Sequence, residues 1–183
     1  EFWGSSANLS RLDQCIYVAA RAAHPDACVL ADAYHMYRGG SEAASLRLLS
    51  RSATHCFHMN DYPAQPAREA LKDSDRVWPG DGIAPLTEIL AIFRQNHASV
   101  WLSVELFNAT YWKQPAPETA RTGLAKMQAV VAAHPALSAR FDPDPGLRDL
   151  ALRWQHPVRG AGVPRLRAHP GDRRRLRHPA PGR

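Results

Sequence analysis

The chain has 183 residues with a formal net charge of +6, and 45% of the residues are hydrophobic, which is enough for one globular domain with a core. It contains no run of 18 apolar residues, which excludes a transmembrane helix of ordinary length, and we expect no membrane among its partners. Its three cysteines follow neither metal-site nor redox spacing. Their odd and sparse number favours a reducing compartment, so we expect a cytoplasmic protein.

The positive charge lies in the last quarter of the chain. Residues 1–135 contain 12 Lys and Arg against 13 Asp and Glu, whereas residues 136–183 contain 11 Arg, no Lys and 4 Asp. The second segment has too little apolar content to order itself, and we predict an irregular, disordered Arg/Pro-rich tail. Its Arg run at 173–175 is typical of nucleic-acid-binding arms. The composition is also what GC-rich DNA gives when it is read out of frame, so nucleic acid is the less favoured partner.

Residues 1–135 alternate between short apolar segments, which predict strands, and amphipathic segments, which predict helices. The predicted strands are Glu1–Trp3, Ala27–Ala31, His55–Met59 and Val100–Phe107. Helices are predicted over Asn8–His24, after a Ser41 cap, from Pro85 onward and over Pro117–Ala133, with a long polar loop over Asp61–Gly82.

Four strand–helix units in succession predict an α/β fold with a parallel sheet. No Gly-rich nucleotide fingerprint follows any predicted strand, which disfavours a doubly wound dinucleotide-binding sheet. Four units in about 135 residues correspond to half of a (β/α)₈ barrel, which usually has about 250 residues. Because residue 1 already lies in a predicted strand end, we expect the chain to be part of a longer protein.

A chemically active side chain stands at or just beyond the end of each predicted strand: Glu1, Asp32, His58 and Glu105. Three carboxylates and one imidazole form a hard ligand set for a divalent cation. In a barrel, catalytic groups gather at the carboxyl ends of the strands. The period of two places Glu105 on the inward face with Ser103, and it makes His58 a better ligand candidate than His55.

Five ordered motifs carry a family resemblance: EFWG at residue 1, DAYHMY at 32, FHMNDYP at 57, DRVWPGDG at 75 and SVELFN at 103. With these motifs, residues 1–135 resemble the C-terminal half of a sugar phosphate isomerase/epimerase of the xylose isomerase-like TIM-barrel superfamily. The resemblance does not extend to the tail, and it implies a small-molecule sugar or sugar phosphate as substrate.

The resemblance also implies roles for individual residues. Its metal ligands correspond to Glu1, Asp32, His58 and Glu105, and the two glutamates correspond to the acid/base pair of the reaction. His35 and Arg76 correspond to substrate-binding residues. The implied cofactor is one divalent cation, Mn²⁺ in the first place and Mg²⁺ or Co²⁺ as alternatives, and the chain is a candidate homo-oligomer.

One departure and several alternatives remain open at this point. Ketose 3-epimerases carry a further Glu six residues after the first ligand, where this chain has Ala7, so the resemblance equally fits inosose dehydratases and hydroxypyruvate isomerases. An inactive fragment is a further alternative, and an apurinic endonuclease-like enzyme is less favoured because that chemistry needs more metal ligands.

Each candidate residue also has a purely structural interpretation. Asp32 would cap the following turn, His58 would be a core histidine, and Glu105 would form a structural ion pair. His35 would be a solvated loop residue. Arg76 would pair at the surface with one of the nearby carboxylates of Asp73, Asp75 and Asp81. Asp61 is expected to anchor its loop and not to bind a metal.

Overall fold

The computed structural model describes residues 1–133 of the chain. Its strands are β1 (Ala31–Asp32), β2 (Cys56–His58) and β3 (Trp101–Ser103). Its α-helices are α1 (Leu12–Ala22), α2 (Ala33–Gly39), α3 (Leu86–Gln95), α4 (Ala109–Trp112) and α5 (Ala116–Ala133), and short 3₁₀ turns occupy Ala43–Leu48, Arg68–Ala70 and Asp73–Asp75. The predicted tail at 136–183 lies outside the described residues.

The three strands form one parallel sheet in the order β1-β2-β3, as the strand–helix alternation predicts. The chain therefore folds as part of a parallel β/α barrel. The paired segments are two or three residues long and shorter than the predicted strands. The prediction of a strand over Glu1–Trp3 is wrong, because this segment hydrogen-bonds locally: Trp3 N–H donates to Leu9 O at 3.2 Å, and Ser6 N–H donates to Trp3 O at 2.8 Å.

Two local predictions around the second strand–helix unit also need correction. Helix α2 begins directly after β1, so His35 lies in a helix and not in a loop. Ser41 does not cap the following helical turn, since its Oγ accepts a hydrogen bond from Leu12 N–H at 2.9 Å and ties that turn to the start of α1.

The hydrophobic core lies between the sheet and helix α3. Phe57 of β2 packs edge-on against Phe93 of α3 with ring centroids 5.3 Å apart, and both side chains are almost fully buried. Val100, just before β3, and Leu102 of β3 pack against the same core. The alternating side chains are thereby directed to the opposite face, where the candidate site lies. Within residues 1–133 no helix has the length and apolar content needed to cross a membrane.

Candidate metal centre

The strand register brings the predicted ligands to one edge of the sheet. Asp32 of β1 pairs directly with His58 of β2, and His58 pairs with Ser103 of β3. Glu105 lies two residues beyond Ser103 on the same side of its strand. Parallel strands therefore place an acid, an imidazole and a second acid side by side at their carboxyl ends, as the sequence predicts.

The four predicted ligand side chains converge on one point. One ligand atom from each of Glu1, Asp32, His58 and Glu105 lies within 4.8 Å of all the others. His58 Nδ1 is at the centre, 3.3 Å from Asp32 Oδ2, 3.4 Å from Glu1 Oε1 and 3.6 Å from Glu105 Oε2. The two glutamates are each about two-fifths exposed and open to solvent, whereas Asp32 is fully buried.

His58 Nδ1 provides the test of whether a cation fits this group. The atom is buried and has no hydrogen-bond partner, although three carboxylate oxygens surround it. An unpaired buried polar atom is costly and needs an explanation. Imidazole nitrogen and carboxylate oxygen are ligands for Mn²⁺, Zn²⁺ and Co²⁺, so a shared divalent cation would satisfy the nitrogen and neutralise the acids. The donor set fits such an ion.

The electrostatics of the cluster favour positive charge at its centre. The close Asp32 carboxylate raises the pKa of His58 above its ordinary value of 6.5, against the opposing effect of burial, and Glu1 and Glu105 act in the same direction. A proton on the imidazole and a divalent cation are therefore alternative means of compensating these carboxylates.

Asp32 is held at both of its carboxylate oxygens. Its Oδ1 accepts a hydrogen bond from His35 N–H at 2.9 Å and caps helix α2, so the structural interpretation of this residue is also correct. Its Oδ2 accepts a hydrogen bond from Asn60 Nδ2 at 2.6 Å. The same side chain thus starts a helix and turns one oxygen toward His58.

Arg76 is the buried cation beside the cluster. Its Nη1 donates to the backbone oxygen of Glu105 at 3.1 Å and to Glu105 Oε2 at 3.2 Å, and Nη2 forms a short ion pair with Asp73. The guanidinium lies between two aromatic rings, 4.4 Å from the centroid of Tyr34 and 5.1 Å from that of Phe107. Arg76 does pair with Asp73, one of its three predicted partners, but the prediction of a surface location is wrong because its side chain is 1% exposed.

His35 is buried against Arg76 and is not solvated. Arg76 Nη2 lies 3.0 Å from His35 Nε2, and Gly4 N–H points at Nδ1 from 3.3 Å. A neutral imidazole accepts at only one nitrogen, so the ring satisfies one of these donors at a time. Burial lowers the pKa of His35, more than Asp32 raises it, and the ring is therefore neutral near pH 7.

A cleft of about 660 Å³ opens above the cluster. Its polar lining includes Glu1, His35, Asp73, Arg76 and Glu105, and its apolar walls are Phe2, Trp3, Leu9 and Phe107. A few convergent polar groups within apolar walls are typical of a small-molecule site. Two of the four predicted metal ligands, Glu1 and Glu105, therefore line the same cleft as the predicted substrate-binding pair His35 and Arg76.

The loop that carries Arg76 is fixed by Asp61. Its carboxylate accepts hydrogen bonds from the backbone N–H groups of Tyr62, Gly80, Gly82 and Ala84 at 2.8–3.1 Å. An antiparallel bridge between Asp61 and Val77 adds two backbone hydrogen bonds. The prediction that Asp61 anchors the loop is confirmed.

Two residues of the site were not predicted. Asn60 is fully buried between Asp32 and Glu105, and Asp73 lines the cleft beside Arg76. The period of two signals Asn60, because residues two apart on a strand share a face and Asn60 follows His58 by two. No sequence signal distinguishes Asp73 from the neighbouring Asp75.

These features define a parallel β/α-barrel segment with a candidate divalent-metal centre at its strand ends. The family model of the xylose isomerase-like TIM barrel matches residues 2–130, and the chain belongs to that family.

Individual relatives agree with this placement. The chain is 34% identical over 103 residues to an inosose isomerase of Halalkalibacterium halodurans, a match that covers 56% of this chain and 36% of the relative. A crystal structure of the IolI protein with a bound zinc atom is similar with a TM-score of 0.64 and 28% identity, over 69% of this chain and 45% of that one. A xylose isomerase-like TIM barrel/4-hydroxyphenylpyruvate dioxygenase fusion protein shares the fold, with a TM-score of 0.66 and 20% identity over 79% of this chain and 24% of that one. The chain thus spans about a third of the length of the curated relatives it matches.

Proposed function

We propose that this chain carries the metal-binding and acid/base half of a divalent-metal-dependent sugar isomerase or epimerase. The reaction moves a proton at a carbon next to a carbonyl through an enediolate. The observation that supports this proposal most is the arrangement around His58 Nδ1, a buried nitrogen without a hydrogen-bond partner that faces three carboxylates.

The chemistry requires stabilisation of a weak carbon acid after its proton is removed. A divalent cation supplies a Lewis acid for the carbonyl and hydroxyl oxygens of the substrate when it is bound. Glu1, Asp32, His58 and Glu105 are the residues that would hold it. In addition, the Arg76 guanidinium and the neutral His35 ring lie at the cleft and are placed to donate hydrogen bonds to substrate oxygens once they exchange their present partners.

Glu1 and Glu105 are proposed as the acid/base pair. They are the two carboxylates of the metal group that reach solvent, and both line the cleft. One removes a proton from carbon and the other returns one from a different direction, which is how a stereocentre is inverted or a carbonyl is moved. General acid–base catalysis of this kind contributes roughly 10²–10⁴-fold to the rate.

The relatives and the cleft both support a proposal for the substrate class. The similar proteins are inosose isomerases, so a keto-cyclitol or a ketose is the proposed substrate. Mn²⁺, Mg²⁺, Co²⁺ and Zn²⁺ are the candidate cations, and the cytoplasm is the proposed location. Among residues 1–133 one group of metal-ligating side chains is present, and this does not favour an apurinic endonuclease-like enzyme.

The proposal is tested by proton exchange in D₂O. The protein is incubated with inosose or a panel of ketoses and Mn²⁺, and NMR follows deuterium incorporation at the carbon next to the carbonyl. Exchange reports proton removal even where no new isomer accumulates. We expect cation-dependent exchange that falls by about 100-fold or more in Glu105→Gln, given the size of acid–base contributions.

Glu88→Gln is the matched control, because Glu88 is an exposed glutamate on the outer side of α3. Exchange at the wild-type rate in Glu105→Gln would contradict the acid/base assignment. Absence of exchange with every sugar, in a protein that binds the cation, would contradict the isomerase proposal itself.

A further inference from the structure

Asn60 joins two elements of the candidate metal centre without being one of its ligands. It lies just beyond β2, two residues after His58, and it is 0% exposed. Its amide nitrogen donates to Asp32 Oδ2 at 2.6 Å, and its amide oxygen accepts from Glu105 N–H at 2.8 Å. These two bonds fix the amide orientation, because the nitrogen faces an acceptor and the oxygen faces a donor.

The bond to Asp32 determines which way that carboxylate turns. Asp32 Oδ1 is already occupied by the His35 N–H that starts helix α2. Oδ2, the oxygen 3.3 Å from His58 Nδ1, takes the Asn60 bond. With these bonds on both oxygens the carboxylate plane cannot rotate freely, and Oδ2 stays turned toward His58 Nδ1 at 3.3 Å and Arg76 Nη1 at 3.5 Å.

The bond to Glu105 holds the chain where the sheet has ended. The last backbone bond between β2 and β3 runs from Met59 N–H to Ser103 O at 2.7 Å. Glu105 follows two residues later, and its N–H is bonded to the Asn60 side chain in place of a strand neighbour. Arg76 Nη1 holds the Glu105 backbone oxygen from the other side at 3.1 Å.

We propose that Asn60 is a positioning residue that holds Asp32 and Glu105 in the arrangement required by a divalent cation. This inference rests on the metal centre of the proposed function. Residues that orient metal ligands typically change metal affinity by about 10–100-fold when they are removed, although they never touch the ion. Asn60 hydrogen-bonds to Asp32 at the end of β1 and to Glu105 beyond the end of β3, so its loss should let both ligands move.

The test uses Co²⁺ as probe and the full chain as protein. Isothermal titration gives the Co²⁺ dissociation constant, and the visible d–d absorption reports the coordination geometry. In Asn60→Ala both bonds are lost, and in Asn60→Ser the side chain is too short to reach both partners. We expect both variants to bind Co²⁺ about 10–100-fold more weakly with an altered d–d spectrum.

Asn96→Ala is the matched control for stability. Asn96 Nδ2 also donates two hydrogen bonds, to Leu46 O and Leu49 O, each at 2.8 Å, but at the end of α3 and away from the cluster. We expect this variant to lower the melting temperature while it keeps the wild-type Co²⁺ affinity and spectrum. If circular dichroism shows that Asn60→Ala is unfolded, Asn60→Ser is compared with Asn96→Ala instead.

Two results would overturn the inference while the metal centre stands: wild-type Co²⁺ affinity and spectrum in the Asn60 variants, or an equal loss of affinity in Asn96→Ala. A wild-type chain that binds no Co²⁺ would instead overturn the metal centre, and this inference with it. The two failures are therefore distinguishable.

Discussion

Asp32 and His58 face each other directly across two neighbouring parallel strands, with His58 Nδ1 3.3 Å from Asp32 Oδ2. The buried Nδ1 lies within ion-pair distance of this carboxylate but forms no hydrogen bond. The strand register holds the two Cα atoms opposite each other, and hydrogen bonds from His35 N–H and Asn60 Nδ2 hold the Asp32 carboxylate in place. The pair is therefore fixed in position, and the more exposed Glu1 and Glu105 complete the candidate site next to it.

Replacement of Asp32 by Asn separates its two roles. The amide oxygen still accepts the His35 N–H bond and caps α2, whereas the negative charge beside His58 is lost. The amide NH₂ that replaces Oδ2 also no longer accepts the hydrogen bond from Asn60 Nδ2. We expect Asp32→Asn to bind Mn²⁺ or Co²⁺ at least about tenfold more weakly, and Asp32→Ala to lose in addition about 1 kcal/mol of helix-capping free energy.

Calorimetric titration and thermal unfolding measure the two effects. Asp13→Asn is the control, since Asp13 is exposed and bonded only to Arg11 and local backbone. Cation binding by Asp32→Asn with unchanged affinity would remove Asp32 from the ligand set.

The pKa of His58 predicts that the stability of the cation-free protein falls with rising pH, whereas the affinity for the cation rises. Its pKa is raised above 6.5, chiefly by Asp32, so the protonated ring stabilises the cation-free fold fully below pH 6.5. This contribution is lost as the pH rises through the raised pKa. A cation must displace the same proton, so its affinity should increase over that window.

Thermal unfolding with EDTA and with Mn²⁺, across pH 5.5–9, measures both trends. We expect the melting temperature in EDTA to fall and the shift caused by Mn²⁺ to grow with rising pH, with release of about one proton on binding. In His58→Gln the EDTA trend should be weaker. A cation-induced shift that is independent of pH would show that His58 is not a ligand.

The candidate ligands were predictable because they follow from strand geometry. Parallel strands put the residues at their carboxyl ends on one edge, and the period of two selects His58 over His55 and turns Glu105 inward. These rules hold although β1 and β2 pair over only two residues. Glu1 joins the group without any strand at residues 1–3, since the local turn at Trp3 brings it there.

Burial of Arg76 was not predictable, because it depends on the path of the loop. Three carboxylates lie near Arg76 in the sequence, nothing in the sequence distinguishes them as partners, and a surface ion pair with one of them is expected. The four backbone N–H groups gathered by Asp61 fold the loop over the sheet edge and place Arg76 between Tyr34 and Phe107. Hydrogen bonds between residues this far apart in the sequence produce no periodic pattern from which the path of the loop could be predicted.

Arg76→Met should destabilise the protein and make it more dependent on a cation. The fully buried guanidinium pairs with the fully buried Asp32 and with Asp73 and Glu105, which are 33% and 40% exposed, so its removal affects the buried Asp32 charge most. Loss of one partner from a fully buried ion pair costs about 3–5 kcal/mol, and because solvent screens two of the three carboxylates we expect a loss near the lower end of this range. A bound divalent cation should recover part of this, because it neutralises the same carboxylates.

Urea unfolding with and without Mn²⁺ checks this prediction. Arg11→Met is the control, as Arg11 is exposed and pairs with the exposed Asp13. Its effect should be small and independent of the cation. If Arg76→Met were as stable as the control, the cluster would not need the buried charge.

Asp61 should control loop position without contributing to cation binding directly. In Asp61→Ala four backbone N–H donors lose their shared acceptor. The bond to Tyr62 N–H is buried, whereas the other three are part-buried and water can replace part of their loss, so with about 1–3 kcal/mol for each unsatisfied buried donor we expect a loss of about 1–3 kcal/mol. Gly82→Ala should act on the same clamp, because an added Cβ there would collide with Tyr62 O and with the Asp61 carboxylate.

Both variants should release Arg76 from its place between the two rings. In the isomerase assay we therefore expect a lower rate at saturating sugar, whereas the affinity for Co²⁺ should change less than in Asp32→Asn. Asp81→Asn is the matched control, since Asp81 lies in the same loop but pairs with Lys126 at the surface. An Asp61→Ala protein that loses Co²⁺ binding as completely as the ligand variants, while its fold is intact, would mean that Asp61 is itself part of the metal site.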